Sequence, residues 1–351
     1  MSIFSYMPKT NSTPKVTIVI PVWNGAAWLA ACLDSLTAQS FRDFAVIVVD
    51  NGSTDNSRAL VARHAPQASL IAWERNRGFA VAVNVGIRAS RSEYVALLNV
   101  DTRPRADWLL NLVQAMDRSA PDVGGLASKM LSMVDPAVVD DCGDILSWQG
   151  AAFKRGHGRS AADFARSEEI FSPCAGAVLY RKSFLDKVGG FDERFSPIYL
   201  EDVDLGLRGR LCGYRYFFVP TAEILHQSHG SGLPQARYVR LMTRNRILLL
   251  LKNMPARLLW RHAVSLLYGQ LYFFIAYRRP LAALAGYFSV LPVLPHIVRE
   301  RRAIQKNLKL TLEQVEQLLT PTMAEPTLRD AFRIWWRKKC RMKKCRMKNA
   351  E

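Results

Sequence analysis

Between residues 15 and 102, short apolar runs rich in β-branched residues break off four times into polar residues, and each gives way to a helical pattern. KVTIVIPVW (15–23) leads into a stretch in which Ala27, Leu29, Leu33 and Leu36 are apolar. FAVIVVDNGSTDNS (44–57) leads into SRALVARHA, which Asp55 or Asn56 can cap. ASLIAWERN (68–76) precedes FAVAVNVGIRAS, and YVALLNVDT (94–102) precedes WLLNLVQAMDR. Runs that are apolar throughout, alternating with helices, predict an α/β fold with a parallel sheet covered on both faces. Ligands of such sheets sit beyond the carboxyl ends of the strands. Pro21–Gly25, Asp50–Thr54, Asn76–Gly78 and Asn99–Asp101 all fall there, so a polar site follows from topology alone.

Each cluster has chemistry to offer. In an extended strand residues i and i+2 point to one side, which would put Asn99 and Asp101 together at the end of LLNVDT. Two oxygen ligands there suit Mg²⁺ or Mn²⁺, which take one or two carboxylates plus phosphate oxygens. An ordinary turn uses the same residue types. Asp50 can accept from the N–H of a pyrimidine base, or serve a turn. Arg75, Asn76 and Arg77 precede Gly78, where a backbone can approach a ligand closely, and Arg suits phosphate. In EDVDL, Glu201, Asp202 and Asp204 place three acids at a helix start, where acids are favourable in any case. Apolar flanks predict partial burial, which raises a carboxylate toward useful base strength. His226 and His229 follow a strand-like EIL; either can ligate metal or phosphate, or be structural.

The rest of the chain is read from composition. Its 351 residues, 49% of them hydrophobic, can bury a full core. Residues 108–170 contain a helix, short strands and a Gly-rich loop. From about 238, apolar segments of roughly 15 to 18 residues alternate with Arg and Lys. These are at or below the roughly 17 to 25 needed to span a bilayer, and Pro292 and Pro295 interrupt the last. They predict helices that pack on the domain or lie in the membrane interface, with a re-entrant or spanning hairpin as the alternative. The net charge is +18, and nine Lys or Arg with no acid lie between Arg333 and Lys348, around the near-duplication KKCRM KKCRM. Such a tail suits nucleic acid or an anionic membrane; no RNA-binding or helix-turn-helix signature supports the former. Six scattered cysteines without C-x-x-C spacing, and an N-terminus without signal-peptide features, predict a reducing, cytoplasmic compartment.

In order along residues 15–230, VTIVIPVWNG, VVDNGSTDNS, ERNRGFAVAVNVGI, LLNVDT, CAGAVLYRKSFLDKVGGFDERF, EDVDLGLR and His226 resemble the family-2 inverting glycosyltransferases of GT-A fold, especially the rhamnosyltransferase-like branch. Arg244-Asn245 and the apolar helices after it fit the same likeness. The resemblance implies a mixed, mainly parallel sheet with helices on both faces, over residues 15–235. An extension (1–14) precedes it; an apolar, basic helical region that associates with membrane (236–320) and a basic tail (321–351) follow. Pro21, Asn24 and Asp50 would lie against the nucleoside. Asn76, Gly78, Asn84 and Asn99 would line the nucleotide-sugar site. Asp101 and His226 would hold Mg²⁺ or Mn²⁺, Asp202 would be the general base, and Glu201 would face the acceptor. The first metal-motif position, often Asp, is Asn99 here, which puts strict metal dependence in doubt. The implied reaction moves a sugar with inversion from a nucleotide-diphosphate sugar to a saccharide acceptor in cell-surface polysaccharide synthesis. dTDP-rhamnose is the first choice of donor, with UDP-hexoses and galactofuranose open. The acceptor would be polyprenyl-diphosphate-linked, with the enzyme peripheral at the inner membrane face and no nucleic-acid partner. The alternative is an inactive protein of this fold that binds nucleotide-sugar or polysaccharide.

Overall fold

The computed structural model of the chain describes residues 13–228 and 233–323. The N-terminal extension to residue 12, His229 and the basic tail lie outside the described residues. The expected alternation forms the first third. Strands β1 (Val16–Val22), β2 (Phe44–Asp50), β3 (Ser69–Ala72) and β4 (Tyr94–Leu98) run parallel in the order β3-β2-β1-β4. Helices α1 (Ala26–Thr37) and α2 (Ser57–His64) cover one face and α3 (Phe79–Ala89) the other. The central strands β1 and β4 are almost wholly apolar because both of their sides are buried: Ile18 and Ile20 enter one core, Val19 the other. The α3 helix lies so close to β1 that a methyl on Gly86 would sit 2.3 Å from Val19.

Past β4 the sheet becomes mixed. The chain continues through β5 (Thr102–Pro104), α4 (Trp108–Asp117), β6 (Val123–Ser132) and β7 (Val139–Asp141). It then forms a hairpin of β8 (Asp144–Leu146) and β9 (Ala152–Lys154), then β10 (Glu168–Ile170), β11 (Ala177–Arg181), α5 (Lys182–Val188), α6 (Glu201–Leu211) and β12 (Arg215–His226). β11 inserts antiparallel between β4 and β6. β12 runs parallel to β6 and antiparallel to β5, with His226 in register with Thr102. That pairing brings residues more than a hundred positions apart to one edge.

The remaining chain is helical: α7 (Gln235–Asn253), α8 (Ala256–Arg261), α9 (Ala263–Ala276), α10 (Pro280–Phe288), α11 (Leu294–Lys306) and α12 (Leu312–Gln317). α7 packs on α6 through Val203, Leu207, Leu248 and Leu249. Beneath them Lys252, 1% exposed, is paired with Asp192 (2.6 Å) and Asp204 (2.7 Å). Asp204 also accepts from Arg208 and Asn253, both at 2.8 Å. Removing one partner of such a buried cluster costs about 3–5 kcal/mol. It fixes α7 to the helix that begins with Glu201 and Asp202.

Candidate active site

β4 ends at Leu98, and the Thr102 hydroxyl closes a turn by donating to the Asn99 carbonyl at 2.6 Å. The same-side geometry expected of an extended strand is therefore absent. Asn99 is held against the 174–176 segment, its N–H donating to the Gly176 carbonyl at 2.9 Å, while Asp101 turns to β12. There Asp101 Oδ1 lies 3.6 Å from His226 Nε2 and is buried without a hydrogen-bond partner. His226 Nδ1 donates to Asp140 Oδ2 at 2.7 Å. Asp140, 2% exposed, also accepts from Lys154 Nζ at 2.7 Å and from the Ser228 hydroxyl.

The electrostatics follow. Burial opposes charge on His226, yet Asp101 and Asp140 outweigh it and raise the imidazole to about 9. Burial likewise opposes charge on Asp140, but His226, Lys154 and Ser228 hold it well below the carboxylate range. With Nδ1 committed to Asp140, Nε2 is the nitrogen that faces Asp101, the arrangement by which a carboxylate orients a metal-binding histidine. Among the described residues no third His, Cys, Asp or Glu completes a cluster. Two protein donors around an unsatisfied carboxylate oxygen fit Mg²⁺ or Mn²⁺, which draw their other ligands from phosphate and water.

The structure sorts the three acids of EDVDL. Asp204 is structural, spent on Lys252, Arg208 and Asn253. Glu201 is buried, with Oε2 unpartnered, and burial aided by the Asp202 charge pushes it well above the usual range. Asp202 keeps partial solvent contact. Its Oδ1 accepts from Val203 N–H at 2.8 Å and its Oδ2 from Ala175 N–H at 3.3 Å, while burial raises its pKa. Asp141 and Asp144 belong to the same acidic group; burial pushes Asp141 up to about 7 and Asp144 well above its ordinary value. The segment before α6 is strained. Tyr199 (φ 87°) and Leu200 (φ 68°) are both left-handed. Asn245 of α7 holds it, its amide N–H groups reaching the carbonyls of Phe195 (3.1 Å), Ile198 (3.2 Å) and Tyr199 (2.8 Å).

At the carboxyl ends of β1 and β2, Asn24 Oδ1 accepts from Thr54 N–H at 2.8 Å, tying the two ends together; Pro21 of β1 is half-buried. Asp50 is buried and accepts from Ser53 N–H at 3.1 Å and from Arg58 Nε. Asn76 Oδ1 accepts from Gly78 N–H at 2.8 Å and from Asn51 at 3.1 Å. Gly78 (φ 98°) meets Ser196, where a methyl would lie 2.6 Å from Oγ, and Phe79 N–H donates to the Pro197 carbonyl at 2.9 Å. The 76–78 turn thus abuts the segment leading to Asp202. Asn84 is buried and its amide is bonded to Phe191 (2.8 and 2.9 Å) and Glu193 (3.0 Å), so both ends lock α3 to the 191–193 segment, beside a cleft that Asn84, Arg88 and Arg208 help to line.

Sequence reasoning missed Asp140, Lys154, Asn51 and the bracing role of Asn245. The acid-rich VDDCGD was the available signal for Asp140. It is Asp140 that makes His226 and Asp101 a unit.

The model of the glycosyl transferase family 2 matches residues 17–189. The O-antigen biosynthesis protein RfbC of Myxococcus xanthus is 28% identical over 243 residues, 65% of this chain and 19% of that protein. The N-acetylglucosaminyl-diphospho-decaprenol L-rhamnosyltransferase of Mycobacterium tuberculosis is 28% identical over 259 residues, 65% of this chain and 81% of that one. The chain spans 25% and 19% of the length of two of its curated relatives, so it corresponds to one part of those longer proteins. A crystal structure of GalNAc-T7 with UDP, GalNAc and Mn²⁺ superposes with a TM-score of 0.63 at 12% identity, over 88% of this chain and 57% of that one. At that identity the likeness is one of fold.

Proposed function

Because residues 17–189 belong to glycosyl transferase family 2, we propose that this chain transfers a sugar from a nucleotide-diphosphate sugar to a saccharide hydroxyl, inverting the anomeric carbon. The observation that carries the reading is the pairing of two unlike sites at one sheet edge. Asp101 and the Asp140-oriented His226 form one, and Asp202, a buried carboxylate of raised pKa that still touches solvent, forms the other.

The roles divide as follows. Asp101 and His226 would hold a divalent cation, whose charge would neutralise the departing nucleoside diphosphate. Asp140 holds the His226 Nδ1 proton, which leaves Nε2 as the nitrogen that would serve as ligand in the deprotonated ring. The turns at Asn24, Asp50, Asn76 and Gly78 shape the nucleoside and sugar side. As the anomeric carbon gains oxocarbenium character, Asp202 takes the proton of the acceptor hydroxyl attacking from the opposite face. Its raised pKa suits that task. Glu201, whose carboxyl burial pushes well above its usual range, lies next to Asp202 in sequence on the acceptor side.

Our first choice of donor is dTDP-linked rhamnose; the name of one relative specifies transfer of L-rhamnose and an N-acetylglucosaminyl-diphospho-decaprenol. A lipid-linked saccharide acceptor at an anionic membrane face agrees with the apolar, basic C-terminal helices. The test is a panel of dTDP-, UDP- and GDP-sugars with Mg²⁺ or Mn²⁺, scored by hydrolysis and by protection against thermal unfolding. Protection by one donor, turnover upon adding acceptor and an inverted product support the proposal. Protection without turnover over an acceptor panel favours the binding-only alternative.

A further inference from the structure

Eleven of the fourteen exposed large apolar side chains among the described residues lie between Trp260 and Val298. On α9 they recur at Val264, Leu267, Leu271 and Ile275, a spacing that draws one stripe along a helix. Val264 is 82% exposed and Leu267 68%. On α10 and just beyond, Leu281, Leu284, Phe288 and Leu291 repeat the pattern.

The inner sides of both helices are fully committed. A methyl on Gly269 of α9 would lie 2.0 Å from the Gln149 carbonyl oxygen, and the Phe273 ring stacks 3.6 Å below the buried Arg246 guanidinium. A methyl on Gly286 of α10 would lie 2.7 Å from the Arg240 carbonyl oxygen. The outward stripes are therefore fixed by packing within the chain.

Charge identifies what covers them. From residue 256 to 306 there are eight Lys or Arg and one acid, Glu300, which is ion-paired with Arg194. Arg257 and Arg261 sit at one end of α9, exposed Arg278 and Arg279 at the other, and Arg299 and Arg302 follow on α11. Apolar stripes bordered by cations match a surface with an acyl interior and anionic headgroups. Residues 280–306 are long and apolar enough to cross a membrane by length and composition. Their inner side is nevertheless pinned to the domain, with Arg301 donating to the Leu251 carbonyl at 2.6 Å and Gln305 to the Asn253 carbonyl at 2.8 Å.

We propose that the outward faces of α9 and α10 form a monotopic docking surface for an anionic phospholipid bilayer, lying in the headgroup–acyl boundary without spanning it. This deepens the membrane reading above and rests on it for the kind of partner, not on the transfer chemistry. The basic tail contributes a second, purely electrostatic attraction, which salt screens; the apolar stripes do not depend on it.

The test is flotation of the full chain with phosphatidylcholine vesicles and with vesicles containing phosphatidylglycerol, at low and high salt. The wild type binds the anionic vesicles more tightly and keeps measurable binding in high salt. Leu267→Glu/Leu271→Glu, both on the exposed stripe, lowers high-salt partition at least about a hundredfold, from the burial each leucine loses. Thermal stability and donor hydrolysis stay unchanged, so a failure of docking is read apart from a failure of the transferase reading. Arg278→Gln/Arg279→Gln narrows the preference for anionic vesicles. Vesicle binding unaltered by the leucine variant overturns the proposal. So does a wild type that is a dimer in solution and becomes monomeric in that variant, which would make a second copy the occupant.

Discussion

Asp202→Asn separates proton acceptance from shape. The Asn carbonyl oxygen keeps the bond from Val203 N–H at 2.8 Å, while its amide group meets the Ala175 N–H at 3.3 Å, donor against donor. That loss costs about 1 kcal/mol. It is offset because the variant removes a charge that helps raise the buried Asp141 and Asp144, so the fold persists. The catalytic loss is far larger: removal of a general base lowers kcat by about 10²–10⁴, or roughly 3–5 kcal/mol of barrier. Donor affinity with Mn²⁺, read by calorimetry, stays within about twofold, since donor binding is a ground-state property that Asp202 does not supply. The pH profile is the sharper readout. A base works only when deprotonated, so wild-type kcat falls as pH drops through the raised Asp202 pKa, and that limb vanishes in the variant. Stability carries the same signature. Asp141 is raised from 3.8 to about 7, so its neutral form stabilises the fold below 3.8 and that contribution is lost as pH rises through about 7. The loss is shallower in the variant, where the Asp202 charge no longer opposes Asp141. A variant with kcat within tenfold of wild type and an intact acid limb would refute the base assignment. A matching drop in donor affinity would make Asp202 a binding residue.

Asp101→Ala is expected to abolish turnover and to weaken nucleotide-diphosphate binding in Mg²⁺ or Mn²⁺; near-normal activity with an unchanged metal response would remove Asp101 from the metal site. Asp140→Asn is expected to weaken Mn²⁺ binding about 10- to 100-fold, the usual effect of losing a partner that orients a ligand. The raised His226 pKa stabilises the fold fully below 6.5 and is lost as pH rises through about 9. Urea melts at pH 6.5 and 9.5 should therefore show a smaller decline in Asp140→Asn than in wild type, and equal declines would count against the Asp140–His226 bond. Truncation after Thr327 is expected to leave donor hydrolysis intact, reduce low-salt sedimentation with anionic vesicles, and slow transfer to a lipid-linked acceptor more than to a soluble analogue. Vesicle binding that is indifferent to truncation would leave α9 and α10 as the sole membrane contact.

What was legible in the sequence is what depends on local pattern. The four parallel strands, their crossover helices and the polar edge follow from runs such as VTIVI and YVALL, which are almost wholly apolar because both sides of these central strands are covered. Asp202 stood out because three acids in apolar surroundings are unusual at any helix start. The rest required pairings between distant residues. Nothing local says that β11 enters antiparallel beside β4, or that β12 brings His226 into register with Thr102. Without that register the strand period points to Asn99 as the neighbour of Asp101, whereas β4 ends at Leu98, Thr102 closes a turn, and His226 of β12 is the residue found beside Asp101. The role of Asp140 was hidden for the same reason: VDDCGD marks it as acidic, but its partners His226 and Ser228 lie more than 80 residues away. Asn245 is the clearest case. Read locally it is a polar residue in a helix; in the fold it is fully buried and ties three carbonyls of the segment before Asp202. The left-handed backbone at Tyr199 and Leu200 costs of order 1–3 kcal/mol per residue, and these bonds from α7 offset that cost. The segment that presents Asp202, the proposed base, is thus held by the helix that also carries Arg246 against Phe273, so the same inner framework fixes both the start of α6 and the outward stripes of α9.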